Sequence, residues 1–204
     1  RLDALKERLR MGADPWAYLA HFDRITQPET LVCGEITPEY ALLPAGVMQS
    51  ISDFLRPHFR SLKPVFLLRD PVERLWSNMK HDHRRGRGGP ASETWRQRIR
   101  SREALDRSRY DVTCANLEKV FARDDILYLF YEELFAERTL RNLCAFLGVD
   151  YHPVDEKFLA EEVKKGISDK MPVEFAALAR EKLDDVYVFA RRHFGDAAPA
   201  SWRW

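Results

Sequence analysis

The chain has 204 residues, which is enough for one well-buried domain, whereas two would be cramped. Hydrophobic residues make up 45% of it and charged residues 32%, as in ordinary globular proteins. A net charge of +1 argues against a nucleic-acid-binding protein, and no stretch approaches the roughly 20 apolar residues of a membrane span.

The N-terminal part of the chain is predicted to be mainly helical. Apolar spacing indicates helices over Leu2–Arg10 and Trp16–Phe22, the second of which follows an Asp-Pro pair that suits a helix start. Leu31–Glu35 is predicted to be a short strand, and Val47–Phe59 carries the apolar stripe of a helix.

Two runs of consecutive apolar residues, Val65–Leu68 and Ile126–Phe130, predict buried strands of a parallel sheet. We expect the first of them to be covered on both faces. The helices predicted around these strands are Pro71–His81, Ala91–Ser101, Tyr110–Phe121, Thr139–Leu147 and Val173–Phe194, with loops at Asp82–Pro90 and Lys164–Pro172. Such alternation predicts a three-layer α/β/α domain with a mostly parallel sheet. Three visible strands are few for such a sheet, so we expect a further strand to be missing at the N-terminus.

The segment Arg69–Ser77 (RDPVERLWS) begins where the strand Val65–Leu68 ends. Ligands of open α/β sheets bind beyond the carboxyl ends of the strands, and free N–H groups at a helix N-terminus favour phosphate. Arg69 can add a bidentate contact, and Ser77 can reach a ligand that lies along the side of the helix. For an isolated arginine we would favour pairing with Asp70 or another nearby carboxylate, but the whole pattern favours a phosphate site.

RDPVERLWS resembles the 3′-phosphate motif of sulfotransferases that use 3′-phosphoadenosine-5′-phosphosulfate (PAPS). Three other segments resemble this family in the same order, particularly its bacterial members and its heparan sulfate N-sulfotransferase branch: CGEITPEY at 33–40, the stretch 107–134 that ends in ILYLFYEEL, and KKG at 164–166. The resemblance implies a P-loop NTPase-like architecture. It also implies transfer of a sulfonate group from PAPS to a hydroxyl or amine on a small molecule or a glycan.

The resemblance implies roles for five residues in holding the nucleotide. Arg69 and Ser77 would hold the 3′-phosphate, and Lys165 and Gly166 would approach the nucleotide phosphates from a late loop. Lys165 could instead be one of a solvated pair of lysines. Tyr110 could contact the nucleotide or pack in the core.

Two residues are candidates for the catalytic step. His81 lies one helical turn after Ser77, and in the N-sulfotransferase branch a histidine at the matching place faces the acceptor. Histidine titrates near neutral pH and so suits accepting a proton, although exposed histidines are also common at helix ends. Glu35 could act as a general base or hold its loop by buried hydrogen bonds. The family usually has lysine at the next position, where this chain has Ile36.

One element of the family is absent from the sequence. No Gly-rich turn with a lysine, which would hold the 5′-phosphosulfate, occurs in the chain, and neither does the family's usual catalytic glutamate. In the family order both precede Trp16. We therefore expect residues 1–204 to be a single sulfotransferase domain without its N-terminal strand and phosphate-binding loop. A nucleotide or sugar kinase and a non-catalytic nucleotide-binding module are the alternatives.

Charge and cysteine content bear on the acceptor, on metal binding and on the cellular location. The basic stretch Lys80–Arg87 suits an anionic acceptor such as a glycan, or else forms a solvated basic face. The three cysteines, Cys33, Cys114 and Cys144, show no paired spacing, which argues against a disulfide framework and a zinc site. We expect no bound metal and, since reduced cysteines suit it and no signal peptide is visible, a cytoplasmic location.

Overall fold

The structure of the chain, a computed structural model, describes residues 2–155 and 169–202. Within these ranges the chain forms two β-strands and ten α-helices. The strands are β1 (Val65–Leu68) and β2 (Leu127–Phe130). The helices are α1 (Leu2–Ala13), α2 (Pro15–Ile25), α3 (Ala45–Leu55), α4 (Pro71–Arg84), α5 (Ala91–Arg98), α6 (Arg102–Asp106), α7 (Tyr110–Val120), α8 (Glu137–Leu147), α9 (Val173–Lys182) and α10 (Asp184–Phe194).

The two strands pair in parallel, with Val65 opposite Leu127 and Leu68 opposite Phe130. The chain crosses from β1 to β2 through α4 to α7, as a parallel pair requires. The predicted α/β class and parallel sheet are therefore confirmed. The prediction that β1 is covered on both faces was wrong for the described residues, because Val65 and Leu67 are each 42% exposed.

The predicted strand Leu31–Glu35 is not formed. Residues 31–37 have no regular structure, and Leu31 is 79% exposed. A strand needs a hydrogen-bonded neighbour and apolar burial on at least one face. In the part of the chain that the structure describes, β1 and β2 pair only with each other, so this segment has neither.

The hydrophobic core lies where α4, α9 and α10 pack around the ends of the strands. Trp76 of α4 packs against Phe175 of α9, with ring centroids 4.9 Å apart. The predicted single helix Val173–Phe194 is broken at Leu183, which is fully buried and has the non-helical angles φ −115° and ψ 13°. Packing of Leu183 outweighs the helical pattern, and the break lets α10 fold back against α7.

Helix α4 is longer than the sequence predicted. It continues three residues beyond His81 and ends at Arg84, so the predicted loop Asp82–Pro90 begins only at Arg85. The turn that follows contains Gly86 at φ 68° and Gly88 at φ 152°, conformations that favour glycine.

The three cysteines differ in burial, which leads to a labelling prediction. Cys114 is fully buried, and burial raises the pKa of its thiol to about 12. Cys33 and Cys144 are half-buried. Because the thiolate is the reactive form, we expect Ellman's reagent at about pH 8 to modify two thiols in the native protein and a third only after unfolding. Reaction of all three at one rate without denaturant would contradict this packing.

Candidate functional site

The two strands end side by side, and the residues that follow them form the candidate site. Arg69 comes directly after β1, and Tyr131 comes directly after β2. The Arg69 guanidinium carbon lies over the Tyr131 ring, 4.7 Å from its centroid. This edge of a parallel sheet is where α/β proteins bind their ligands.

The Arg69 side chain is held loosely by an acidic neighbour. It is 30% exposed, and its Nη2 atom lies 3.4 Å from Oε2 of Glu73, one helical turn further along the chain. The sequence left open whether Arg69 pairs with Asp70 or another carboxylate, and the partner in the structure is Glu73. A contact of this length is weak, so an incoming anion can replace it.

The backbone N–H groups at the N-terminus of α4 are capped by the side chain of Asp70. Oδ1 of Asp70 accepts hydrogen bonds from the backbone N–H groups of Val72 (3.0 Å) and Glu73 (2.9 Å). Its Oδ2 accepts one from the hydroxyl of Tyr187 (2.9 Å). The expectation that free N–H groups at this helix start would bind phosphate was therefore wrong, because the Asp70 carboxylate already occupies them.

Glu132 fixes the backbone between β1 and α4. Its Oε1 atom accepts a hydrogen bond from the Asp70 backbone N–H (2.7 Å) and one from the indole N–H of Trp202 (3.2 Å). Sequence reasoning missed both Tyr131 and Glu132. The rule that ligand sites lie beyond strand ends, applied to β2 as it was to β1, would have found them.

Tyr110 lies in the core beneath Arg69. It is 2% exposed, its hydroxyl donates a hydrogen bond to the Arg69 carbonyl oxygen (2.8 Å), and its ring stacks on Trp202. Burial raises the pKa of this hydroxyl well above its usual range. Of the two roles left open by the sequence, the structure shows core packing, from which Tyr110 positions the backbone of Arg69.

A half-buried arginine, Arg74, supports the segment before Tyr110. Nε of Arg74 donates to the Ser108 hydroxyl (2.8 Å), and its Nη2 donates to the Ala104 carbonyl oxygen (3.2 Å). Burial lowers the pKa of Arg74. Ser108 in turn donates to the Pro71 carbonyl oxygen (3.3 Å), so this segment is tied to the start of α4.

Ser77 and His81 lie one turn apart on α4, as predicted. Ser77 is half-buried, and its hydroxyl has no hydrogen-bond partner among the residues that the structure describes. His81 is exposed. Glu73 lies one turn before Ser77, so Glu73, Ser77 and His81 form a stripe on the solvent side of α4. This stripe begins beside Arg69.

Glu35 has a different setting from the one expected. It lies in the irregular segment 31–37, is exposed, and accepts a hydrogen bond from the hydroxyl of Tyr40. Tyr18 of α2 also contacts this carboxylate, and burial together with Glu35 raises the pKa of Tyr18 to about 12. Glu35 therefore ties its loop to α2, and the predicted strand that would have placed it at a sheet edge does not exist.

Lys165 and Gly166 lie outside the described residues. Asp169 follows that segment and is anchored near the candidate site. Its carbonyl oxygen accepts a hydrogen bond from the indole N–H of Trp76 (3.1 Å), and its carboxylate accepts one from the Ser92 N–H (3.3 Å). Asp169 is thus fixed against Trp76 of α4, the residue that precedes Ser77 in the sequence.

The described residues contain neither a metal-binding cluster nor a membrane-spanning helix. Over residues 2–155 and 169–202, no three His, Cys, Asp or Glu side chains come together where they could hold a metal ion. In the same ranges no helix has both the length and the apolar character needed to cross a membrane.

Comparison with known proteins adds two similarities. The profile of a family described as "Sulfotransferase family" matches residues 44–153, just over half of the chain. A solved sulfotransferase structure from Alicyclobacillus acidocaldarius is similar at 23% identity with a TM-score of 0.65, over 94% of this chain and 74% of that one. At this identity the likeness shows the fold, and it supports the predicted P-loop-like architecture. No curated protein matches the chain significantly.

Proposed function

The chain belongs to the sulfotransferase family, and we propose that it transfers a sulfonate group from PAPS to a hydroxyl or amine acceptor. The choice of PAPS as the donor rests on Arg69 and Ser77, which both lie in the stretch that the family profile matches. One is a partly exposed cation at the end of β1, and the other is a hydroxyl without a partner among the described residues.

The residues present fit the 3′-phosphate end of PAPS. A phosphate bound to Arg69 would replace the weak 3.4 Å contact with Glu73, and it would gain a shorter charge-assisted hydrogen bond. Ser77 is two turns along α4 and would donate its hydroxyl to the same group. Since Asp70 occupies the helix N–H groups, these two side chains are the phosphate ligands that we propose among the described residues.

The remaining nucleotide contacts are proposed from the family resemblance. Lys165 and Gly166 would approach the nucleotide phosphates, the lysine with its charge and the glycine with its bare backbone. The anchoring of Asp169 beside Trp76 supports a position for this segment near Ser77. Tyr110 would act through Arg69, whose carbonyl oxygen it binds.

PAPS, when bound, supplies the activated sulfonate. The acceptor oxygen or nitrogen must lose a proton as it gains the sulfonate, and we propose that His81 accepts this proton or orients the acceptor. The position of His81 on the same stripe as Ser77 supports this role. Glu35 is proposed to hold the loop 31–37 rather than to act as a base, because Tyr40 and Tyr18 already contact its carboxylate.

We also propose that the protein is located in the cytoplasm. Cys33, Cys114 and Cys144 are free thiols, which supports a reducing cytoplasm.

Calorimetry with three nucleotides tests the proposed donor. We expect 3′-phosphoadenosine-5′-phosphate (PAP), the product of PAPS, to bind at least about 100-fold more tightly than AMP, which lacks only the 3′-phosphate. ATP serves as the probe for a kinase. Tighter binding of ATP than of PAP, or no binding of PAP, would overturn the proposal.

Replacing Ser77 with alanine should weaken PAP binding by about tenfold, because a hydrogen bond to a charged phosphate is lost. The free energy of unfolding should stay unchanged, since the hydroxyl has no partner among the described residues. Ser101→Ala is the matched control: Ser101 is exposed and its side chain makes no capping hydrogen bond. Equal loss of affinity in both variants would exclude a specific role for Ser77.

A further inference from the structure

The turn between β1 and α4, formed by Arg69 and Asp70, is held by three side chains from distant parts of the chain. The Tyr110 hydroxyl donates to the Arg69 carbonyl oxygen (2.8 Å). The Tyr187 hydroxyl donates to Oδ2 of Asp70 (2.9 Å), and Oε1 of Glu132 accepts from the Asp70 N–H (2.7 Å). The direction in which the Arg69 side chain leaves the backbone therefore depends on these three contacts.

All three of these side chains contact Trp202, which is only 1% exposed. The Trp202 ring stacks on the Tyr110 ring, with centroids 6.1 Å apart and an interplanar angle of 20°. It meets the Tyr187 ring edge to face at 6.4 Å, and its indole N–H donates to Oε1 of Glu132 (3.2 Å). One buried side chain thus supports each of the three contacts that hold the turn.

The Trp202 ring also packs against the end of the sheet. Phe130, the last residue of β2, meets it edge to face with centroids 5.3 Å apart. A protein core is close-packed, so a smaller ring in place of the indole would leave a void into which the rings of Tyr110 and Tyr187 can shift. Because the hydroxyls of those two rings hold the turn, such a shift would reach the backbone of Arg69.

Neither Tyr187 nor Trp202 lies in the stretch 44–153 that the family profile matches, so the family match assigns them no role. We infer that Trp202 is a positioning residue for recognition of the 3′-phosphate. By holding the three side chains that fix the turn, it aims the Arg69 guanidinium so that both of its hydrogen bonds to the phosphate can form. This inference rests on the proposed function, because it takes a 3′-phosphate as the ligand of Arg69.

Calorimetry with PAP and AMP on the variant Trp202→Phe tests the inference. Phenylalanine keeps a ring in the core, but it is smaller than the indole and has no N–H donor. We expect PAP to bind about tenfold more weakly, as for the loss of one charge-assisted hydrogen bond of Arg69, and AMP to bind as it does to the wild type. The ratio of the PAP and AMP affinities should therefore fall from about 100 to about 10.

Trp95→Phe is the matched control for the loss of a buried indole. Trp95 is 4% exposed, and its ring packs on Phe175 with centroids 5.7 Å apart. Within the described part of the chain, it makes no ring contact or hydrogen bond with the turn or with the side chains that hold it. A purely structural role predicts the same result for both variants. We expect both to lower the free energy of unfolding, and only Trp202→Phe to lower the affinity ratio.

Two further variants test the route by which Trp202 acts. In the Arg69→Ala background, Trp202→Phe should cause no additional loss of PAP affinity, because the effect passes through Arg69. Glu132→Asp leaves the core intact and keeps the negative charge, but the shorter side chain withdraws its carboxylate from the Asp70 N–H. It should reduce the PAP to AMP affinity ratio in the same way, and it decides the question if Trp202→Phe does not fold.

The wild type separates failure of the inference from failure of the proposed donor. If the wild type prefers PAP to AMP, three results would overturn the inference and leave the proposed donor standing. These are an unchanged affinity ratio in Trp202→Phe or in Glu132→Asp, an equal fall of the ratio in Trp95→Phe, and an equal loss of PAP affinity from Trp202→Phe with and without Arg69. If the wild type shows no preference for PAP, the proposed donor fails and the inference fails with it.

Discussion

Replacing Arg69 with alanine should weaken PAP binding by about 100-fold, the largest effect on ligand affinity that we expect from one residue. Charge-assisted hydrogen bonds contribute about 1.5–3 kcal/mol each, and a guanidinium can make two of them to one phosphate. A loss of about 3 kcal/mol corresponds to about 100-fold in affinity. The free energy of unfolding should change little, because the Arg69 side chain is partly exposed and its contact with Glu73 is long.

The ligand supplies the control for this prediction. AMP lacks the 3′-phosphate, so its affinity should be the same for the wild type and for Arg69→Ala in calorimetry. Arg69→Lys keeps the charge but not the bidentate geometry and should fall between the two. If Arg69→Ala weakened the binding of AMP and of PAP by the same factor, Arg69 would not bind the 3′-phosphate.

Replacing Asp70 with alanine should lower the free energy of unfolding by about 3 kcal/mol. The N-cap to Val72 and Glu73 contributes about 1–2 kcal/mol, and the buried Tyr187 hydroxyl loses its acceptor at a cost of about 1–3 kcal/mol. Arg180 also contacts that hydroxyl, but a guanidinium carries only donors and cannot take the place of the carboxylate. Denaturation by urea, followed by circular dichroism, measures the change.

A double-mutant cycle divides this effect into its two parts. Tyr187→Phe removes the hydroxyl, so Asp70→Ala should cost less in that background than in the wild type, by roughly 1 kcal/mol. Asp70→Asn keeps a side-chain oxygen for the cap and should be milder than alanine. Additive effects of the two substitutions would show that the Asp70–Tyr187 hydrogen bond does not contribute to stability.

Asp70 and Arg69 are neighbours with separate tasks. The Asp70 side chain caps the start of α4. In the proposed function, ligand binding is therefore left to side chains that project beyond the sheet. The helix dipole still favours negative charge there, but the N–H groups do not contact it directly. Specificity for a 3′-phosphate would then depend on the spacing between Arg69 and Ser77 rather than on the backbone.

Much of the local structure follows from the sequence. The apolar runs at β1 and β2 predict a parallel pair, and the Asp-Pro pair at 70–71 predicts the start of α4, because strand burial and helix capping are local properties. The failures at Leu31–Glu35 and at Leu183 have one cause. Whether an apolar segment becomes a strand or breaks a helix depends on which neighbours it meets, and a single sequence does not state them.

RDPVERLWS was the most informative feature of the chain. The sequence by itself determined the order of the elements around this segment: a strand, then Arg69, then a helix that carries Ser77 and His81 on one side. Tertiary structure alone decided how these parts are held. Tyr187 reaches Asp70 from 117 positions away, Glu132 reaches it from 62, and Tyr110 reaches Arg69 from 41. Hydrogen bonds between such distant residues depend on how the strands and helices pack, and periodicity along the chain carries no information about that packing.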